Sequence, residues 1–299
     1  MATHFIEPSI ETLHGPFLRD RPPVLTVDPG DTIVYRTLDA RWRFAPDEQF
    51  EPRQDGHALC GPVAVRGAEP GLVLAVRLEK IRPAAWGWTA AGGWSSPVND
   101  RLGVGEGERF PVNWSIDVST GTATNQFGRS VGLRPFMGVV GMPADEPGEQ
   151  STGPPRNCGG NIDCRELVEG SILYLPIAVR GALLSIGDGH AAQGDGEVSG
   201  TAIECPMEEV RVTIDLVAGR HRTPRAFTPA GWITFGFHDN LQEATAIALE
   251  EMLDLLVERF DCERREALAL ASVAVDLRIT QLVNGVVGVH AVLPDGAIY

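Results

Sequence analysis

Asp188, His190, Gln193, Asp195 and Glu197 crowd into the stretch GDGHAAQGDGEVSGTAIE (187–204), which Glu204 closes after a short apolar run. Cores avoid such groups, because a buried charge without a partner is expensive. Surface loops carry Asp and Gly, but seldom an imidazole among several acids with strand-like residues on both sides. The economical reading is a metal or acid/base site at the end of a β-hairpin; the alternative is an acidic, solvated turn. Side chains two apart on a strand share a face, so Asp188 and His190 are expected to point the same way. If 181–190 pairs with 197–206, Glu197 and Glu204 return to that neighbourhood. The passage GGNID (159–163) adds Asn161 and Asp163, again two apart. Carboxylates with a single imidazole suit a hard or borderline divalent ion such as zinc, calcium or manganese. Such an ion lowers the pKa of water and polarises a carbonyl, while a second carboxylate can move protons.

Other chemistry has less support. The spacing matches no general zinc signature such as HExxH. His57, in DGHALCGPV, lies just before a strand and is either a further ligand or a surface-loop histidine. His290 could face the core or a cleft. Ser185 and Ser199 lack a GxSxG elbow or other triad context. Cys158, Cys164 and Cys205 lie close in sequence to the acidic motifs, which raises thiol nucleophilic catalysis, but no local Cys-His signature accompanies them. No glycine-rich phosphate loop of the Walker or dinucleotide type is present.

The elements that must position these residues read mainly as β. PPVLTVDPGDTIVYRTLDA (22–40) and GPVAVRGAEPGLVLAVRLEKIRP (61–83) each place a Pro-Gly turn between two apolar strands, and predict two similarly bent strand pairs in one sandwich or roll. Residues 85–130 are less regular; Trp86, Trp88, Trp94 and Trp114 either line a cavity or fill the core of a loop-rich β region. Turn residues over 147–160 exclude a helix and predict an ordered loop. SILYLPIAV (171–179) reads as a strand that Pro176 places at an edge or bulge. GALLSIGDG and VRVTIDLVAG supply two more strands.

After His238 the pattern changes. Leu241, Ala244, Ala248, Met252, Leu255 and Leu256 recur at helical spacing within 239–260, with Asp239 or Asn240 as N-cap. A second helix is expected after Asp261, itself a natural N-cap, and residues 280–294 read as a hairpin turning at Asn284-Gly285. The expectation is a single unit over 1–299, with a β-rich body to about 237 and an α+β cap over 238–299.

The chain has 299 residues, enough for a substantial core. Its 34 glycines and 22 prolines are turn-rich, as β structure requires. A net charge of −15 argues against a nucleic-acid partner and against an anionic membrane surface. No stretch approaches the roughly eighteen continuous apolar residues of a membrane span. MATHFIEPSIETLHGPF does not read as a signal peptide. Five cysteines without a CxxC pair suit free thiols in a reducing cytoplasm better than a disulfide framework.

The passages GPVAVRGAEPG, STGPPRNCGGNIDCRELVEGSILYLPIAV, GALLSIGDGHAAQGDGEVSGTAIECPMEEVRV and SVAVDLRITQLVNGVVGVHAVLP resemble the acetamidase/formamidase family of amidohydrolases. They run in family order from about residue 24 to the C-terminus, and GGNxD followed by GDGHAAQGDGE is the most specific part. The resemblance implies a β-sandwich or jelly-roll-like body with a smaller α/β part. It implies a homo-oligomer and hydrolysis of a small-molecule amide, formamide or acetamide in kind, to carboxylate and ammonia with a divalent metal, zinc or calcium, in the site. Carried across, Asp163, His190 and Glu204 become the expected metal ligands, and Asn161, Asp188 and Glu197 the expected catalytic groups, with Asp188 or Glu197 passing a proton to the leaving amine. Two alternatives stand beside this: a hydrolase of a larger amide or other acyl-nitrogen bond, and a non-catalytic ligand-binding β-sandwich with a structural calcium.

Overall fold

A computed structural model describes residues 1–219 and 221–299. The chain is mainly β, built on two sheets that face one another across a common core. The larger has nine strands, in the order Thr3–Ile6, Thr32–Thr37, Met207–Ala218, Leu72–Pro83, Ile172–Pro176, Arg225–Thr228, Gly231–His238, Val287–Leu293 and Asp276–Gln281. All its pairings are antiparallel except that of Thr3–Ile6 with Thr32–Thr37. The opposing sheet runs Gly159–Asn161, Phe136–Gly141, Ala182–His190, Leu59–Val65 and Leu13–His14, with Leu25–Val27 alongside Leu59–Val65. Ile33, Tyr35, Leu74, Val76 and Val212 from the first sheet pack against Cys60, Val63, Met137, Leu184 and Ile186 from the second.

The two Pro-Gly turns do something other than close hairpins. Leu25–Val27 and Thr32–Thr37 belong to different sheets, as do Leu59–Val65 and Leu72–Pro83. Each turn therefore hands the chain across the sandwich, with Gly30 and Gly71 in the left-handed region that lets it do so. Pro176 ends a strand that lies inside the large sheet, but it is paired on one side only, with Val73, because the other neighbour stops opposite Tyr174; its missing N–H therefore costs no ladder bond, as expected of a local edge.

Residues 85–130 are more regular than their sequence suggests. Trp86–Ala91, Phe110–Asp117, Thr122–Asn125 and Ser130–Gly132 form a four-stranded antiparallel meander. It docks on the site-bearing segment through the bridge between Trp88 and Glu204.

The helical part follows the predicted spacing. Leu241–Phe260 buries Ala244, Ala248, Met252, Leu255 and Leu256, and leaves Leu241 exposed. Asn240 caps it by accepting from the N–H groups of Gln242 and Glu243. Asp261 does not cap the second helix; at φ +48° it ends the first, and Arg264–Ala274 starts after Glu263 without a side-chain cap. Both helices cover the end of the large sheet, against Val289, Ala291 and Leu293. The C-terminal hairpin forms as expected, between Asp276–Gln281 and Val287–Leu293. Among the described residues no helix is long and apolar enough to cross a membrane.

Candidate active site

The strand Ala182–His190 ends in the site. It carries Asp188 and His190 on a backbone that leaves no room for side chains between them and their neighbours. A Cβ at Gly189 would come within 2.7 Å of the Cys205 carbonyl oxygen, and one at Gly187 would strike the Ala58 carbonyl. These glycines thus let flanking backbone approach closely and press the side chains of Asp188 and His190 into one pocket.

The expected hairpin partner over 197–206 is not a strand. Residues 191–206 form a loop, and Glu204 returns through an isolated bridge to His190. The glycines at 194, 196 and 200 explain why no ladder propagates there: three Cβ-less positions in seven residues give a strand little to pack. The functional consequence expected from the hairpin is nevertheless realised, because Glu204 arrives beside the ring.

Asp163, Asp188, Glu197 and Glu204 surround the single imidazole of His190, and all five side chains are buried. His190 Nε2 lies 3.4 Å from Asp188 Oδ1 and 3.2 Å from Glu204 Oε2, while Nδ1 lies 3.9 Å from Asp163 Oδ1. The donors fall into two overlapping sets that share His190: Asp163, His190 and Glu197, and Asp188, His190 and Glu204. In each, one ligand atom per residue lies within 4.8 Å of the others. Phe136 packs edge-on against the ring at 5.0 Å between centroids and fixes its plane. Three of the four acids, Asp163, Asp188 and Glu197, have positive φ, between +45° and +58°. Such backbone strain is uncommon outside glycine and gathers where surrounding structure enforces a functional geometry.

These acids do not titrate as free ones would. Burial above all pushes Asp163 up to about 8, with His190 opposing and Asp188 and Glu204 reinforcing the effect. Burial and then the charge of Asp163 push Glu197 up to about 10. Burial also raises Glu204. It acts on Asp188 too, but His190 and His57 outweigh it and hold that carboxyl below the ordinary range. For His190, burial disfavours the cation, yet Glu204 and Asp188 overcome this and raise its pKa well above the usual value. Four buried acids around one base is an excess of negative charge that a protein interior does not tolerate unaided.

A divalent cation fits this donor set. Asp163 Oδ1, both ring nitrogens of His190, Glu197 Oε2 and Glu204 Oε2 are buried without hydrogen-bond partners among the described residues. Two of these acids have the opposite oxygen anchored: Glu204 Oε1 accepts from Ala202 N–H at 2.8 Å, and Asp163 Oδ2 accepts from the side-chain amide of Asn284. Gln193 Nε2 donates to the Asp163 carbonyl at 2.8 Å. One oxygen held and one left free is the arrangement of an oriented carboxylate ligand.

A cavity of about 250 Å³ opens over the site. Asn161, Asp188, Glu197 and Glu204 lie at its wall, with Trp88, His57 and Asn284. Asn161 donates from Nδ2 to the Gly153 carbonyl at 3.1 Å, which leaves its buried Oδ1 without a partner. The structure thus brings all six expected site residues together. Asp195 stays out of both clusters and is exposed.

The remaining candidates separate cleanly. His57 lines the cavity and bonds Thr152 Oγ1 through Nδ1 at 2.9 Å, outside the two donor sets. His290 faces the core, with Nδ1 2.8 Å from Thr280 Oγ1 and its ring 6.2 Å from that of Phe235. Cys158, Cys164 and Cys205 are buried, and burial holds their thiols well above the ordinary pKa, which disfavours a thiolate nucleophile. All five cysteines are unpaired. Of the four tryptophans in 85–130, Trp88 lines the cavity, and Trp114 lines a neighbouring one that also touches Glu197. Trp88 thus realises the cavity-lining alternative that the sequence left open, whereas Asn284 and Arg41, which also line the cavity, carry no signal of a site in the sequence, since neither sits in a chemical motif.

Residues 133–231, which hold every candidate ligand, match the Acetamidase/Formamidase family. The chain is 50% identical over 244 residues to the formamidase of Methylophilus methylotrophus, a match covering 62% of this chain and 60% of that protein. It spans, then, about 60% of the length of that curated relative. Among solved structures, the acetamidase of Yersinia enterocolitica superposes with a TM-score of 0.86 at 28% identity, covering 98% of this chain and 92% of that one. The acetamidase of Bacillus halodurans does so with a TM-score of 0.84 at 25% identity, covering 97% of each chain. Motif, buried donor cluster and whole-chain superposition point one way: residues 133–231 match the acetamidase/formamidase family, and the chain as a whole is similar in fold to the acetamidases above.

Proposed function

We propose that the protein hydrolyses the C–N bond of a short linear amide, adding water and releasing a carboxylate and ammonia, with a divalent cation at His190. The observation that carries this is the set of partnerless buried donors around one imidazole beneath a small cavity. His190, Asp188 and Glu204 would hold the ion, being the set whose two carboxylates line the cavity; Asp163 is the next donor, on the far side of the ring. Zinc, calcium and manganese all suit a site of carboxylates with one imidazole. When bound, such an ion supplies Lewis acidity to a carbonyl oxygen and lowers the pKa of water beside it.

The chain's own groups do the rest. Asn161 Oδ1, free to accept, orients the substrate by taking an amide N–H. Glu197 Oε2 faces the same cavity and passes a proton to the departing nitrogen, which must leave as an amine rather than an amide anion. Trp88 and the loop 191–206 shield the reacting bond from bulk solvent. The family's amidases support the same reading. A reducing compartment accords with five unpaired cysteines, and self-association accords with the exposed Phe110, Phe127 and Val198.

The test is ammonia release from a panel of small amides, with and without chelator, beside metal analysis of the purified protein. His190→Ala and Glu204→Ala should abolish both metal content and hydrolysis. Full retention of either property would overturn the assignment; metal without any ammonia from the wild type would favour a ligand-binding protein with a structural ion.

A further inference from the structure

Three guanidinium groups, Arg41, Arg53 and Arg109, line the same cavity as Asp188, Glu197 and Glu204. Among the described residues none of the three has a carboxylate within 4.0 Å, whereas the adjacent Arg43 is neutralised by Asp39 at 2.7 Å. Two of them are held by indoles. Arg41 Cζ stands 3.8 Å from the Trp88 ring centroid, and Arg109 Cζ 4.6 Å from that of Trp94. Stacking engages the flat face of a guanidinium and leaves its edge of N–H donors free, the fork that matches a carboxylate. Arg41 feels the cost of this crowding: burial, then the charges of Arg109 and Arg43, work against its ionisation, only partly offset by Asp39 and Glu204.

A neutral amide such as formamide or acetamide has no use for three unpaired cations. They are also conspicuous in a chain of net charge −15, where acidic partners are plentiful. We infer that the substrate is a short amide bearing a carboxylate as well, gripped at that carboxylate by Arg41, Arg53 and Arg109 while the amide lies against Asn161, Glu197 and the His190 cluster. This rests on the amidase reading above and deepens it. The volume of about 250 Å³ is below the roughly 300 Å³ at which pockets for drug-sized ligands begin, so the molecule is small, of the size of a dicarboxylic acid monoamide.

The experiment compares kcat/KM of the metal-loaded protein for the monoamides of malonic, succinic and glutaric acids with that for propionamide, butyramide and the methyl ester of succinamic acid, which keeps length and removes charge. The best anionic amide should exceed the best neutral one by about tenfold to a hundredfold, the effect of one or two charge-assisted hydrogen bonds. The advantage should shrink as ionic strength rises. Arg53→Gln and Arg109→Gln, at exposed positions where the fold is not at stake, should each lower the anionic-to-neutral ratio several-fold. Calorimetric titration with succinate gives a readout apart from turnover: wild type should bind it, and Arg53→Gln more weakly. Neutral amides hydrolysed as well as anionic ones, or ratios unmoved by the arginine variants, would overturn this inference and leave the amidase reading intact. Ammonia from neither class would overturn both.

Discussion

Gly138→Ala should disable the site while leaving the fold in place. Gly138 lies in the middle of the strand Phe136–Gly141, directly behind the donor cluster. A Cβ there would fall 2.6 Å from Asp163 Oδ1 and 2.9 Å from His190 Cε1, and would collide with Asp188 Oδ2. Carbon and oxygen in contact settle at about 3.3 Å, so Asp163 alone must retreat by about 0.7 Å. It cannot do so freely, since Asn284 holds its other oxygen and its backbone is already at φ +53°. Asp188 and His190 are as constrained, by the positive φ of the one and the Phe136 contact of the other. A displacement approaching 1 Å at reacting groups costs on the order of a hundredfold in rate. Overpacking of a buried strand costs about 1–3 kcal/mol, which a domain of this size survives with a modest fall in Tm. The assay is amide hydrolysis and metal content of the variant beside its melting curve. An alanine variant with kcat/KM within about threefold of wild type would refute the reasoning, because the three groups would then have shown that they need not stay where they are.

Further outcomes follow from other groups. Glu197→Gln should lower kcat by about 10²–10⁴-fold with the bound metal retained, read by turnover against metal analysis; loss of the metal instead would make Glu197 a ligand. His14 is buried, and burial, then Arg21, bring its pKa down to about 4 from an ordinary 6.5. Below about pH 6.5 the unfolded chain takes up a proton that the folded one refuses, so stability falls from there to about pH 4 by up to roughly 3 kcal/mol. His14→Gln, which can keep a bond to Ser185 Oγ, should flatten part of that acid limb in denaturant titrations, and an unchanged limb would count against it. Glu251 is buried between Arg225 and Arg222, at 3.1 and 2.8 Å. Glu251→Ala strands the buried Arg225 and should cost about 3–5 kcal/mol, while Arg222→Ala, at an exposed partner, should cost under about 1 kcal/mol by the same unfolding assay.

What could be read from the chain beforehand was whatever is local. Asp188 and His190 announce themselves because an acid and an imidazole at the end of an apolar strand are costly to bury unless they are used, and the helix over 241–260 because its apolar period is unbroken. The two Pro-Gly turns are legible as bends in a sandwich, but not the sheet each strand joins: such a turn specifies a reversal of direction, and whether the chain comes back to the same sheet depends on twist and on distant partners. The hairpin at Glu204 was misjudged because bringing one carboxylate home needs only a bridge, not a ladder. Asn284 reaches Asp163 across 121 residues, and Arg41 and Trp88 meet only after the meander docks. No local pattern encodes such meetings.

The acidic floor of the cavity and the rest of its wall come from different parts of the chain. Asn161, Asp163, Asp188, His190, Glu197 and Glu204 occupy a stretch of 44 positions on the strands and loop of one sheet, whereas Arg41, Arg53, His57, Trp88, Arg109 and Asn284 arrive from segments before and after it. Substitutions at these outer wall positions can resize or recharge the cavity while leaving the segment 161–204 untouched. Chemistry and taste can therefore drift apart: a lineage can keep its bond-breaking apparatus under strict selection while trying out new amides at the rim, and two chains with the same motif need not share a diet.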